Sequence, residues 1–254
     1  RSMTIAGDLA QTGDLAGASS WQRVLEPYVA DRWRLAELTV NYRTPAEIMA
    51  VAARLLGEVD PDLRPPRSVR ETGVRPWRVE ASPAELPDRL AEAVAAEVAT
   101  LARLAASAQA TASAQTAAAD GSAQAGVPAE SGDAAASAGR VAVIVPAARL
   151  AELGRAITAV VPDATVGERA DLAAAVVVLT VRQAKGLEFD SVLVAEPARI
   201  LAESPRGHND LYVALTRATQ RLGVVHAGPP PAALAELPQP ERLAAKQAAG
   251  RRNP

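Results

Sequence analysis

Apolar positions follow two rhythms along this chain. Ile48, Val51, Ala52 and Leu55 recur at i, i+3, i+4 and i+7, which places them on one face of a helix. Thr44 stands before that stripe as a helix cap, with Pro45 at the first helical position. Glu47, three residues after Thr44, completes a capping box. Leu211, Ala214, Leu215, Ala218 and Leu222 repeat the helical spacing and predict a helix from Asn209 to Gln220. Ala174 to Thr180 instead runs through Ala, Val and Leu without a polar break, as a strand covered on both faces does.

Further strands are predicted over 4–8, Ala36–Val40, Arg140–Val145, Ser191–Val194 and Leu222–His226. Val74–Glu80 reads as an edge strand, because Pro76 keeps it out of a sheet centre. Thr180–Val194 reads as strand, turn, strand. Helices are predicted over Ser19–Val29, from Pro83 to about Ala105 behind a Ser82 cap, and after Val145 to about Val160. Strands alternating with helices imply right-handed βαβ units and an α/β fold, its sheet mostly parallel with helices on both faces.

Two regions fall outside that pattern. Pro61–Arg70 is a Pro- and Arg-rich loop. Ala106–Gly139 is almost only Ala, Ser, Gln, Gly, Thr and acidic residues, with Val127 its one larger apolar side chain. Such a stretch cannot offset its ordering entropy by burial, so a disordered insertion is expected. Pro229, Pro230 and Pro231 end the fold, and the tail to Pro254 has room for a short helix.

Composition narrows the chemistry. Cys is absent, which excludes disulfides and thiolate metal sites. His208 and His226 are the only histidines, too few for most His-rich metal sites. A net charge of −2 argues against a strongly basic nucleic-acid surface but leaves room for a local groove. No apolar run reaches about 18 residues, so no transmembrane helix is expected. No signal peptide opens the chain, and a cytoplasmic setting is expected. Aromatics are 3%, so the core must be built from Val, Leu and Ala. Lys185 and Lys246 are the only lysines, and Lys185 lies inside a motif.

Four strings carry the candidate chemistry: AGDLAQ at Ala6–Gln11, NYRTP at Asn41–Pro45, TVRQAKGLEFD at Thr180–Asp190 and LYVALTRATQR at Leu211–Arg221. A lone Arg on a helix, a capped helix or a Gly turn beside an ion pair would each be ordinary. In this order and spacing the strings resemble nucleotide-binding motifs of superfamily 1 helicase motors of the UvrD/HelD type. The resemblance implies that Arg217 is an arginine finger at the γ-phosphate, a role that contributes roughly 10³–10⁵ in rate in P-loop NTPases. Tyr212 and Thr216 match the same string as packing or capping residues. Gly186 and Glu188 are implied to sit against the nucleotide, with Glu188 bonding the ribose hydroxyl. Thr180, Arg182 and Lys185 are implied to contact a nucleic-acid strand or support the cleft, although relatives often carry His where Arg182 stands. Arg43 is implied to bind the γ-phosphate, at a strand end opening onto a helix N-terminus. Gln11 is implied to sense that phosphate, with Asp8 orienting its turn. At 100° per residue Arg217 lies about 120° from Leu211, so its guanidinium is expected to point off the core, with Arg221 on the same side.

The implied fold is that of the second RecA-like motor domain of a P-loop NTPase. Residues 1–31 would then close the first RecA-like domain. Residues 32–105 and 140–228 would form the second, with 106–139 inserted and 229–254 a Pro/Ala-rich tail. No G-x-x-x-x-G-K-[ST] phosphate loop occurs. The chain is therefore expected to be the C-terminal part of an ATP-driven motor, inactive on its own, with ATP and Mg²⁺ bound largely by a missing first domain. GDLAQTGDLAGASSW and LTVNYRTPAEI resemble the HelD branch, which implies RNA polymerase and a DNA or RNA strand as partners, and no membrane. Translocating relatives follow the Gln closely with base-stacking aromatics, worth about 1–3 kcal/mol per base. Here none occurs until Trp21, and Trp21 and Trp33 suit a core or interface at least as well. A UvrD-like DNA helicase and a non-catalytic truncated module are the alternatives. His208 and His226 form no catalytic pair on sequence grounds, and Ser19, Ser20 and the acidic residues near Asp171 read as caps and loops.

Overall fold

The computed structural model describes residues 3–11, 20–58, 65–119 and 139–240. A 3-10 turn at Leu9–Gln11 precedes α1 (Trp21–Val29), β1 (Val40–Asn41), α2 (Ala46–Gly57), β2 (Arg67–Ser68), β3 (Trp77–Ala81) and α3 (Leu86–Ala119). Then come β4 (Val141–Ile144), α4 (Leu150–Val160), β5 (Thr165–Val166), β6 (Val176–Leu179), α5 (Val181–Ala184), β7 (Phe189–Ala195), α6 (Pro197–Ala202), α7 (Gly207–Leu215), β8 (Ala218–Ala227) and α8 (Ala232–Ala235). Six strands form one sheet in the order β3-β8-β7-β4-β6-β5, and every neighbouring pair is parallel. β1 and β2 form a separate two-residue parallel pair.

The strands are apolar on both faces because both are covered. Ala142 and Ile144 of β4 face a cluster built from α2, α5, α7 and α8. Val141 and Val143 alternate to the other face, under Leu86, Leu90 and Val94 of α3 and Leu153 and Ile157 of α4. A small residue makes room for a large one across the sheet: Gly223 of β8 pairs with Trp77 of β3, and a Cβ there would fall 2.4 Å from the Trp77 ring. One charged group lies inside the α3 layer. Glu97, 4% exposed, accepts from Ser191 Oγ at 2.8 Å and pairs with Arg221.

The segment after β8 straps the sheet edge. Arg78 of β3 donates its backbone N–H to Pro238 O at 2.9 Å and its Nε to Ala235 O at 3.1 Å. Arg54 of α2 pairs with Glu236 at 2.8 Å, which ties α8 across the lower layer. The segment therefore covers the free edge of β3 at Arg78.

The parallel α/β class and the elements at its centre are those the pattern predicts. Several boundaries differ. Residues 4–8 form no strand, and of the Ala36–Val40 prediction only Val40 is strand, paired into β1 with Asn41. The capping box at α2 does not form. Pro45 is the cap, and Glu47 turns away to accept from Thr72 N at 3.1 Å and Gly73 N at 2.6 Å. A loop with unpaired N–H groups competes for that carboxylate and wins.

The Ala-rich stretch is not wholly irregular, since α3 continues to Ala119, past the boundary expected near Ala105. Ala is the best helix former, and the packed turns from Leu86 to Leu101 supply the nucleus from which it propagates. The rest of the expected insertion (120–138), Ser19, part of the Pro/Arg-rich loop and the tail beyond 240 lie outside the described residues. Among the described residues no helix is long and apolar enough to cross a membrane.

Candidate functional site

β7 and β8 are parallel neighbours, so the residues just before them share one sheet edge. Glu188 precedes β7 and Arg217 precedes β8. Phe189 N donates to Arg217 O at 3.0 Å and locks the starts of both strands together.

Arg217 is where the sequence geometry fails. α7 ends at Leu215, well short of the predicted Gln220, and Ala218 already belongs to β8. Thr216 ends the helix: its Oγ1 donates to Tyr212 O at 2.9 Å and Val213 O at 3.2 Å. Arg217 then folds back under the helix end rather than pointing off the core, and it is 1% exposed. Its Nε donates to Val213 O at 3.0 Å and its Nη1 to Leu187 O at 3.3 Å. The carbonyls at a helix C-terminus attract a cation, which gives the buried charge its partners. Arg221, expected beside Arg217, lies instead on β8 against Glu97.

The remaining donors of Arg217 point to the N-terminal segment. Nη2 donates to Gln11 Oε1 at 3.1 Å and to Thr216 Oγ1 at 3.3 Å. Gln11 in turn donates to Asp8 Oδ2 at 2.8 Å, and Asp8 Oδ1 accepts from Ala10 N at 2.9 Å. Asn209 of α7 anchors this turn by donating Nδ2 to Ala10 O at 2.9 Å. No sequence motif singles out Asn209 for that role. Trp21 packs its ring over Gly7, where a Cβ would lie 3.0 Å away.

Arg43 approaches from a third element. Asn41 Oδ1 accepts from Arg43 N at 2.8 Å and Thr44 N at 3.1 Å, which tightens the turn into α2. The Arg43 guanidinium pairs with the Glu188 carboxylate, both side chains remaining partly exposed. Tyr42, beside Arg43, is 75% exposed. Sequence reasoning misses this ring, although a Tyr inside a charged motif, in a chain with so few aromatics, is a signal that could have found it.

These charges act on one another. Burial, then the Arg43 charge, lowers the Arg217 pKa, while Glu188, Tyr212 and Asp8 oppose the shift. Tyr212, 3% exposed, is pushed up to about 12 by burial and then by the Asp8 carboxylate.

Gly186 has φ +82, the positive angle its turn requires. The segment before it is a short helix rather than a plain turn. Thr180 caps α5 by accepting from Gln183 N at 3.4 Å, and Gln183 Oε1 accepts in turn from Thr180 N at 2.9 Å. Thr180 thus lies at the C-terminal end of β6, with Arg182 and Lys185 exposed beyond it. Among the described residues no hydrogen bond joins these three to Arg43, Glu188, Arg217 or Gln11.

His208 lies 3.7 Å from Glu58, and His226 sits between Arg78 and Gly228 O, so the histidines serve separate places. A cleft of about 560 Å³ opens at the C-terminal ends of the strands. It is lined by Arg149, Glu152, Glu196 and Arg199, which already pair with one another, and none of the four converging residues lies on it. The chemistry therefore centres on the N-terminal edge of β7 and β8. There two guanidiniums, an amide and a carboxylate converge from distant parts of the chain.

Residues 175–225 match the family of UvrD-like helicase C-terminal domains. The match runs from β6 to β8 and holds both Glu188 and Arg217. Among solved structures, the C-terminal domain of a possible DNA helicase from Lactobacillus plantarum WCFS1 is similar at 20% identity and TM-score 0.46, over 78% of this chain and 94% of that one. No curated protein matches the chain.

Proposed function

We propose that this chain is the nucleotide-responsive part of an ATP-driven, helicase-like motor. The observation that carries the proposal is the convergence of Arg217, Gln11, Arg43 and Glu188 from four separate strings. Arg43 and Arg217 would neutralise the γ-phosphate, and Gln11, bonded to Arg217, would report its presence to the segment around Asp8. Glu188 would hold the ribose hydroxyl beside the Gly186 turn. The exposed Tyr42 ring offers an apolar face for the base. Arg217 arrives pre-oriented by four acceptors, which suits a group that stabilises charge only as it develops. ATP and Mg²⁺ are the proposed ligands, the metal and most phosphate contacts falling to a phosphate loop that these residues do not contain.

Thr180 at the C-terminal end of β6, with Arg182 and Lys185 after it, are the proposed contacts to a nucleic-acid strand. We place the motor in the HelD branch, acting on RNA polymerase bound to nucleic acid. The net charge of −2 and the use of Trp21 as packing over Gly7 support that branch over a translocating DNA helicase.

The test is to assay a motor that joins this chain to its phosphate loop. Release of RNA polymerase from stalled complexes, dependent on ATP and on Arg217, is the expected result. Duplex DNA unwinding without polymerase release would replace it with the UvrD-like DNA helicase reading.

A further inference from the structure

The Arg43–Glu188 ion pair joins two groups that a nucleotide would need separately. Arg43 is offered to phosphate and Glu188 to the sugar, yet here each occupies the other. Beside them Arg217 is held by four acceptors, and the Arg43 charge acts against its own. Glu188 is therefore the resident counter-ion between two cations. Both members of the pair are partly exposed, with side chains 39% and 44% accessible, so the pair opens without unfolding anything.

We infer that Glu188 is a specificity gate that makes phosphate binding depend on the ribose. A bare polyphosphate must pull Arg43 off Glu188 and leaves the carboxylate facing the phosphate's negative charge. A nucleoside triphosphate pulls the same arginine away but offers Glu188 a hydroxyl donor in exchange. The first ligand meets a penalty that the second removes. The gate thus discriminates nucleotides from inorganic phosphates through a residue that never touches phosphate. This inference rests on reading the site as a nucleotide site.

The experiment is calorimetric titration, at low ionic strength, of a motor that joins this chain to its phosphate loop, with ATP and with sodium tripolyphosphate. Glu188→Gln should tighten tripolyphosphate by about two- to fivefold, the range of an exposed ion pair, while weakening ATP. Arg43→Gln should weaken both ligands, and adding Glu188→Gln to it should no longer improve tripolyphosphate. Glu188 is half exposed and its replacement isosteric, so the variant retains the fold, which circular dichroism checks. A shift of both ligands in the same direction in Glu188→Gln overturns the gate alone. Affinities for both ligands that Arg43→Gln leaves unchanged overturn the nucleotide site itself.

Discussion

Arg217 Nη2 donates a hydrogen bond to Gln11 Oε1 over 3.1 Å, joining side chains 206 positions apart. The bond connects a residue proposed to stabilise transition-state charge with one proposed to sense the ground-state phosphate. In a motor carrying its phosphate loop, Arg217→Ala should lower kcat by roughly 10³-fold or more with little change in ATP affinity. Gln11→Ala should lower kcat less, because it loosens one of Arg217's four anchors. Equal losses in kcat and affinity for Arg217→Ala would make Arg217 a ground-state ligand.

The 254 residues by themselves should show negligible ATPase activity, because no phosphate-loop Lys is among them. A phosphate-release assay checks this. Turnover near that of an intact motor, abolished by Arg217→Ala, would sink the proposed division of labour.

Tyr212 ties stability to alkaline pH. Its pKa rises from 10.0 to about 12 on folding, so the folded state keeps a proton that the unfolded state releases. That contribution is fully present below about pH 10 and is lost as pH rises through about 12, amounting to about 2–3 kcal/mol. Urea titrations at pH 9 and 11.5 should show a smaller drop for Tyr212→Phe than for wild type.

Glu97 and Arg221 form a nearly buried pair between α3 and β8. Glu97→Ala strands a guanidinium and removes the acceptor of Ser191, which should cost about 3–5 kcal/mol in chemical denaturation. Glu97→Leu combined with Arg221→Met should recover much of that loss. No recovery would mean the pair specifies the α3 docking beyond its charge balance.

Gly207 opens α7 where a Cβ would lie 1.9 Å from Leu201 O. Gly207→Ala must therefore displace the α6–α7 junction, costing about 3 kcal/mol or more. Because α7 positions Tyr212, Thr216 and Asn209, ATPase activity in an intact motor should fall even where the variant stays folded. Differential scanning calorimetry and turnover, measured together, separate the two effects.

Much of the architecture was legible because its signals are local. The β4 and β6 runs of Val read as strands covered on both faces, and the sheet shows that they are. The α2 stripe predicted its buried side, and Ser20 caps α1 through Arg23 N at 3.2 Å, within the predicted helix start. The errors fall where a distant partner decides. Glu47 left its capping box for Thr72 and Gly73. The apolar spacing from Leu211 to Leu222 continued smoothly across the end of α7 because helix and strand both needed buried residues there. Periodicity could not register the switch at Thr216, and so it placed Arg217 on a solvent face.

Sequence alone determined the parallel α/β class and the strings that hold Arg43, Glu188, Arg217 and Gln11, since both depend on residue type at short spacing. Only the tertiary structure decided that Arg217 is buried, that it bonds Gln11, and that Arg43 and Glu188 neutralise each other. The Arg217 relations follow from β7 and β8 lying side by side and from the Asp8–Gln11 turn docking on α7, and the ion pair from the Asn41 turn meeting the start of β7. Contacts across such separations are set by how the layers pack, and nothing local in the chain encodes them.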